Sequence, residues 1–374
     1  MKLSLSMIVK NEAKNLPRCL ESIKGLVDEI VIVDTGSTDD TVKIAESYGA
    51  KVGYFEWCND FSAARNASLD LCTGDWVLIL DADEAIDKMD HDAIRNAMYD
   101  NDYPAYNFIL RNYFNSASCA TFDKAAVRNQ SGYEEGREYP YCADSQVMRM
   151  FRRSPEIRWE GRVHELFCRH LTERGIHTGH TNSVIHHYGK MDAEREGNKK
   201  ALYYELAEED LKSRPGDPQY LFNLAVQAYA AEKLDRCLYA CESYMKKERR
   251  VKVIILLIAG VCYQTANRHD AALKCFELIL QNKPNHVAAL VQSAISKAQL
   301  GDVRATKKLL EVAMGAGPEY VNTYLVLAKV YESEGDRVNA LLTLQRGLNV
   351  NSDDATLLRE ADRFGYNPAM TRGA

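Results

Sequence analysis

Trp76-Val77-Leu78-Ile79-Leu80-Asp81-Ala82-Asp83-Glu84 runs five apolar residues straight into an acidic cluster. A surface strand alternates polar and apolar residues, so an unbroken apolar run bounded by polar loops reads as a strand covered on both faces. The chain before it alternates strands with helices. Strands are expected at 3–9, 29–33 and 51–55, and helices at 15–23, 41–48 and 62–71. Buried strands alternating with amphipathic helices define an α/β layer fold on a parallel sheet. Ligands of such sheets bind beyond the carboxyl ends of the strands. The candidates for chemistry are therefore Lys10-Asn11-Glu12, Asp34-Thr35-Gly36-Ser37-Thr38-Asp39 and Asp81-Ala82-Asp83-Glu84. Two carboxylates flanking one small residue at a buried strand end are costly unless neutralised. A hard divalent cation neutralises them and leaves positions for phosphate oxygens and water. The alternative for Asp83 is capping of a following helix.

The second half has a different grammar. Ala225, Gly260, Ala294 and Ala328 are spaced by 35, 34 and 34 residues. Leu221, Leu256, Leu290 and Tyr324 keep those intervals, as do Cys237, Ala272, Thr306 and Ala340. Gly301 and Gly335 are 34 apart, and so are Pro284 and Pro318. This period, with small residues at two fixed positions, resembles tetratricopeptide repeats, in which small residues let two antiparallel helices approach closely. Four repeats are expected at 218–252, 253–286, 287–320 and 321–354. A linking helix would fill 191–217 and a capping helix with its tail 355–374. Such an array either grips a protein or peptide on its concave face, or serves structure by covering a sheet or pairing two copies into a homodimer.

Composition narrows the classes. The chain has 374 residues, enough for two or three domains. Lys and Arg total 47 against 53 Asp and Glu, a net charge of −6, which gives no reason to expect nucleic acid binding. The longest strongly apolar run, 253–262, is half the length of a membrane-spanning helix. The start lacks a signal-peptide pattern. The 10 cysteines are scattered without a Cys-x-x-Cys pair, as expected for reduced, packed thiols. A cytoplasmic protein is expected.

Taken in order, Met7-Ile8-Val9-Lys10-Asn11-Glu12, Ile32-Val33-Asp34-Thr35-Gly36-Ser37-Thr38-Asp39, Ala64-Arg65-Asn66-Ala67 and Gly74-Asp75-Trp76 to Asp81-Ala82-Asp83-Glu84 closely resemble the family 2 glycosyltransferases of GT-A fold. No Walker-type Gly-x-x-x-x-Gly-Lys and no strand-following Gly-x-Gly-x-x-Gly competes. The resemblance implies a GT-A domain over 1–190. It implies a nucleotide-sugar donor, a UDP-sugar foremost, held by Val9, Asn11, Glu12, Asp34, Arg65, Asp81 and Ala82. It also implies a Mn²⁺ or Mg²⁺ ion on Asp83, with Asp81 near the ribose and metal. Arg65 would donate to the nucleotide, or pair with Asp70 instead.

Downstream, Trp159-Glu160-Gly161-Arg162-Val163-His164-Glu165 resembles the Glu-Gly-x-x-His-Glu segment of family 2 members that carry such repeats. By that resemblance Glu165, beside His164, is the acceptor base of an inverting transfer, with Glu160 and Asp144 as alternatives. Glu165 could instead pair with Arg162. Ser183-Val184-Ile185-His186-His187-Tyr188-Gly189 resembles the His-x-Gly that closes such domains, which makes His187 a candidate third metal ligand. The tyrosine-rich stretch 112–141 lies where an acceptor-binding insertion could sit.

The whole arrangement resembles enzymes that glycosylate a Cys or Ser of bacteriocin peptides, and so implies a peptide or protein acceptor. The first ninety residues also resemble lipopolysaccharide-core glucosyltransferases, which implies a saccharide or lipid-linked acceptor. A catalytically inactive repeat scaffold is the remaining reading, opposed by the intact Asp81, Asp83 and Glu165.

Overall fold

Strand β1 (Leu3–Val9) shows how the sheet is covered. Leu3, Leu5, Met7 and Val9 are buried in one cluster with Leu16, Cys19 and Leu20 of α1 (Leu16–Ser22). The intervening serines are buried as well. Ser6 Oγ bonds Ser68 Oγ of α3 (Phe61–Leu71) at 2.6 Å, and Ser4 Oγ accepts from the Gly74 amide at 2.9 Å. Buried hydroxyls with partners cost little, so this strand packs on both faces despite its alternation. On the second face Leu69 and Cys72 pack with Val31, Val77, Ile79 and Phe151.

In the computed structural model the described residues are 1–100, 102–115, 120–121, 124–163, 175–189 and 193–366, of which 120–121, 124–125 and 193–198 are described as backbone. They fall into two compact units, Met1–Tyr113 with Gln130–Asp210, and Phe114–Asn129 with Leu211–Ala374.

In the first unit, β2 (Glu29–Asp34), α2 (Thr41–Ser47), β3 (Lys51–Tyr54) and β4 (Trp76–Ile79) follow the expected alternation. The chain continues through β5 (Glu84–Ile86), α4 (His91–Ala97) and β6 (Ala105–Phe114). Three two-residue strands, β7 (Ala120–Thr121), β8 (Lys124–Ala125) and β9 (Val127–Arg128), belong to the second unit. Then come β10 (Tyr141–Arg152), β11 (Gly179–His187) and helix α5 (Ala193–Ser213).

The sheet runs β3-β2-β1-β4-β10-β6-β11-β5. The four strands from β3 to β4 are parallel, as are β6 and β11, while β10 is antiparallel to β4 and β5 to β11. The sheet is therefore mixed rather than wholly parallel. The acidic turn at 81–84 reverses the chain, with the Glu84 amide donating to the Asp81 carbonyl at 3.0 Å, and this sends β5 back as an edge strand. Register then gathers the site: Val9 lies opposite Asp34, and His187 opposite both Glu84 and Asn112.

The second unit stacks helical hairpins α6–α7 (Pro218–Ala230, Leu234–Lys247), α8–α9 (Val253–Thr265, His269–Asn282), α10–α11 (Val287–Gln299, Val303–Ala316) and α12–α13 (Val321–Ser333, Arg337–Val350), closed by α14 (Ala355–Asp362). The small residues sit where helices touch. A Cβ on Gly260 would collide with the Phe276 ring of the paired helix. Residues 232, 267, 301 and 335 all take a left-handed conformation at the hairpin turns, which lets the next amide cap the preceding helix.

Among the described residues no helix is long and apolar enough to cross a membrane.

Candidate active site

The carboxyl ends of β1, β2 and β4 and the last residues of β11 open on a cavity of about 470 Å³. Its walls are Ile8, Val9, Lys10, Glu12 and Thr35 from the first two strand ends, Trp57, Phe61 and Arg65, then Asp81, Ala82 and Asp83, with Val163, His187, Lys199, Leu202 and Tyr203.

Asp83 and His187 face each other across this cavity, with Nε2 3.8 Å from Oδ2. His187 Nδ1 pairs with the buried Asn112 Oδ1 at 2.8 Å, which orients the ring and turns Nε2 toward Asp83. The Tyr188 amide donates to the Asp83 carbonyl at 3.0 Å and holds the two loops together. Gly189 keeps the space open. A Cβ there would press on the Asp83 carboxylate and stand 2.7 Å from His187 Nε2. One carboxylate, one imidazole oriented through its other nitrogen and a gap beside both form a donor set that fits a divalent ion with its remaining positions open to substrate. Among the described residues no group of three or more His, Cys, Asp or Glu side chains is placed to hold a metal.

Asp81 is spent differently. Its Oδ1 accepts from Arg65 Nη2 at 3.0 Å and its Oδ2 from Arg149 Nη2 at 3.4 Å. Burial alone would raise this carboxyl, but the two guanidinium groups outweigh it and hold it well below the usual carboxylate range. Arg149 Nη2 also donates to the buried Glu84 at 2.5 Å, and Glu84 Oε2 accepts from the Asp81 amide at 2.9 Å. Burial pushes the Glu84 carboxyl up, Arg149 opposes this, and Asp81 adds to the rise. Asp81 is thus braced at the strand end by two arginines. Arg65 uses Asp81 rather than Asp70, which pairs with Arg158 at 2.7 Å.

Val9, Glu12, Arg65, Asp81, Ala82, Asp83 and His187 line one cavity; Asn11, Asp34 and Glu160 are not among its walls. Asp34 is buried, and its carboxylate accepts from the amides of Gly36 and Ser37, each at 3.0 Å. Asn11, left-handed at φ 55°, accepts from the Thr38 amide at 2.7 Å. Both side chains knit the β1 and β2 loops, and Thr35 takes the cavity wall. The alternative base Asp144 is clamped by Arg111 through two bonds of 2.8 and 2.7 Å.

The loop before the expected base is stitched to α3. Ser62 Oγ donates to the Gly161 carbonyl at 2.5 Å, the Phe61 amide to the Arg162 carbonyl at 3.1 Å, and Asn66 bonds Trp159 in both directions. The Arg162 guanidinium lies near Glu209 and Asp210, at 3.6 and 3.9 Å. Val163 reaches the cavity wall; His164 and Glu165 lie outside the described residues.

Tyrosines of the 112–141 stretch are packed. Tyr113 packs against Tyr139 and Tyr188, with ring centroids 5.2 and 5.5 Å away and those two rings 5.7 Å from each other, and its hydroxyl bonds His186 Nδ1 at 2.6 Å. Burial lowers His186 to about 4, so this histidine is a neutral core residue.

The sequence reading missed Asn112, Arg149, Lys199 and Tyr203. The first two sit inside strands with no local mark of function. The last two lie on a helix expected only to link the halves.

Fold and site together define an α/β layer domain with an acidic strand-end cleft, followed by a helical repeat array. Residues 4–156 match the family model Glycosyl transferase family 2, so this stretch carries a family 2 glycosyltransferase domain, and the second unit stacks helix pairs that recur every 34 or 35 residues. The chain is 40% identical over 163 residues to a TPR repeat-containing protein of Synechococcus elongatus, covering 44% of this chain and 34% of that one. It is 26% identical over 341 residues to the SPbeta prophage-derived glycosyltransferase SunS of Bacillus subtilis, covering 82% and 74%. It is 44% identical over 93 residues to an uncharacterized glycosyltransferase of Rickettsia felis, covering 25% and 32%. The matches to the first and third relatives span about a third of their length.

Proposed function

We propose that the chain is a metal-dependent, inverting glycosyltransferase that moves a sugar from a nucleoside-diphosphate donor, a UDP-sugar foremost, to a peptide or protein acceptor. The observation that carries this is the Asp83–His187 pair, oriented by Asn112 beside the gap at Gly189, at the mouth of a cavity large enough for a nucleotide sugar. Asp83 Oδ2 and His187 Nε2 would hold a Mn²⁺ or Mg²⁺ ion. Such an ion, when bound, stabilises the charge that develops on the leaving nucleoside diphosphate.

The chain's own groups supply the rest. Arg65 and Arg149 keep Asp81 ionised and fixed at the strand end. Val9, Thr35 and Ala82 present a close wall for the nucleoside. Glu165 takes the proton from the acceptor hydroxyl or thiol as that atom attacks the anomeric carbon. The bond from that carbon to the phosphate oxygen breaks on the opposite face, so configuration inverts. The peptide acceptor is supported by the repeat array and by the resemblance of the whole arrangement to peptide-modifying enzymes. The alignment with the glycosyltransferase SunS runs through both halves of the chain.

The test is a panel of UDP-sugars incubated with Mn²⁺ or with EDTA, followed by release of UDP and by the anomeric configuration of the product. UDP release that requires the metal, with an inverted product, is expected. Equal release in EDTA, or a retained configuration, contradicts the reading.

A further inference from the structure

We propose that Lys199 is a ligand of the donor's diphosphate, a role that rests on the donor reading above. Helix α5 sends Lys199, Leu202 and Tyr203 into the cavity at the i, i+3, i+4 spacing of a single helix face. That face is anchored. Tyr203 packs edge-on against Phe61, with ring centroids 5.5 Å apart, and Asp210 near the helix end accepts from the Arg162 amide at 2.7 Å.

The cavity's charges single out this lysine. Arg65 is committed to Asp81, and Arg149 behind it to Asp81 and Glu84. His187 has its Nδ1 on Asn112. Lys10 and Lys199 also line the cavity, and neither has an ionic partner among the described residues. Lys10 is exposed and hydrated, whereas Lys199 is half-buried. A half-buried ammonium in the cavity wall with no ionic partner among the described residues offers an incoming anion a donor that no other side chain holds. A diphosphate entering beside Asp83 and Glu12 meets two carboxylates. One divalent ion offsets part of that charge, and a compact ammonium with three donors suits the remaining phosphate oxygens.

The full-length protein and its Lys199→Ala and Lys199→Arg variants are titrated by calorimetry in Mn²⁺ buffer with UDP and, separately, with uridine, which lacks the phosphates. Lys199→Ala should weaken UDP binding by roughly 10- to 100-fold, the loss of one charge-assisted bond, and leave uridine binding unchanged. Lys199→Arg should recover most of the UDP affinity. UDP binding in Lys199→Ala equal to wild type, or an equal loss for uridine, overturns the assignment while the donor reading stands. A wild-type protein that binds none of UDP, GDP, ADP or CDP overturns both.

Discussion

Glu165 follows Val163 by two positions, and Val163 lines the cavity. Glu165→Gln keeps the shape and removes the basicity, so turnover should fall by roughly 10²–10⁴ with donor affinity little changed. Steady-state kinetics on the acceptor and UDP binding check the two halves of that statement. Asp144→Asn should not reproduce the pattern, because Arg111 already holds both carboxylate oxygens. If Glu160→Gln shows the kinetic loss and Glu165→Gln does not, the base has been misassigned. At this scale the strand-end residues were legible. A polar group just past a buried apolar run has few reasons to be there, and Asp81 and Asp83 obey that logic, whereas Arg65 lies within α3 and was marked only by its motif. Arg149 and Asn112 were not legible. Each sits inside a strand, and its meeting with Asp81 or His187 depends on cross-sheet pairing between segments far apart in sequence. Asp34 was legible in position only, since its carboxylate serves the loop that follows it.

Among the elements, the hairpin turns of the repeats carry a measurable strain. Gly301 and Gly335 take the left-handed turn position at φ 80° and 78°, and Glu232 takes the equivalent one at 57°. A residue with a Cβ pays about 1–2 kcal/mol there, partly offset by glycine's greater freedom when unfolded, about 0.5–1 kcal/mol. Glu232→Gly should therefore stabilise the protein by up to about 1 kcal/mol, read as a higher urea midpoint at unchanged slope. A lower midpoint would show that the Glu232 side chain contributes more than its backbone costs. The repeat period was legible because small residues recur wherever helices touch, as Gly260 against Phe276 shows. The mixed character of the sheet was not. Nothing in the composition of 84–86 or 141–152 tells antiparallel from parallel, because strand direction depends on how the chain re-enters the sheet and not on the residues of the strand. Helix α5 read as a connector because its cavity face of Lys, Leu and Tyr resembles any amphipathic surface.

For the molecule as a whole, we assign donor chemistry to the first unit and acceptor recognition to the repeats. Truncation after about residue 320 removes α12 to α14 and leaves three hairpins, about the minimum for a stable array. The truncated protein should keep UDP binding and lose transfer to the acceptor, with UDP binding and transfer measured separately. Lost UDP binding in a folded truncation would mean that the repeats shape the donor site. The central claim, a metal-dependent nucleotide-sugar site built on Asp83, is tested most directly by thermal shift. Wild type and Asp83→Ala are melted with a panel of nucleotide sugars, with and without Mn²⁺. At about 100 times its dissociation constant a donor adds roughly 2.7 kcal/mol to the wild-type protein. The account predicts that one donor raises the wild-type melting temperature only with Mn²⁺, and that Asp83→Ala, folded to the same degree, loses that increment. A wild-type protein indifferent to every donor, or an Asp83→Ala variant that keeps the full Mn²⁺-dependent shift, contradicts it.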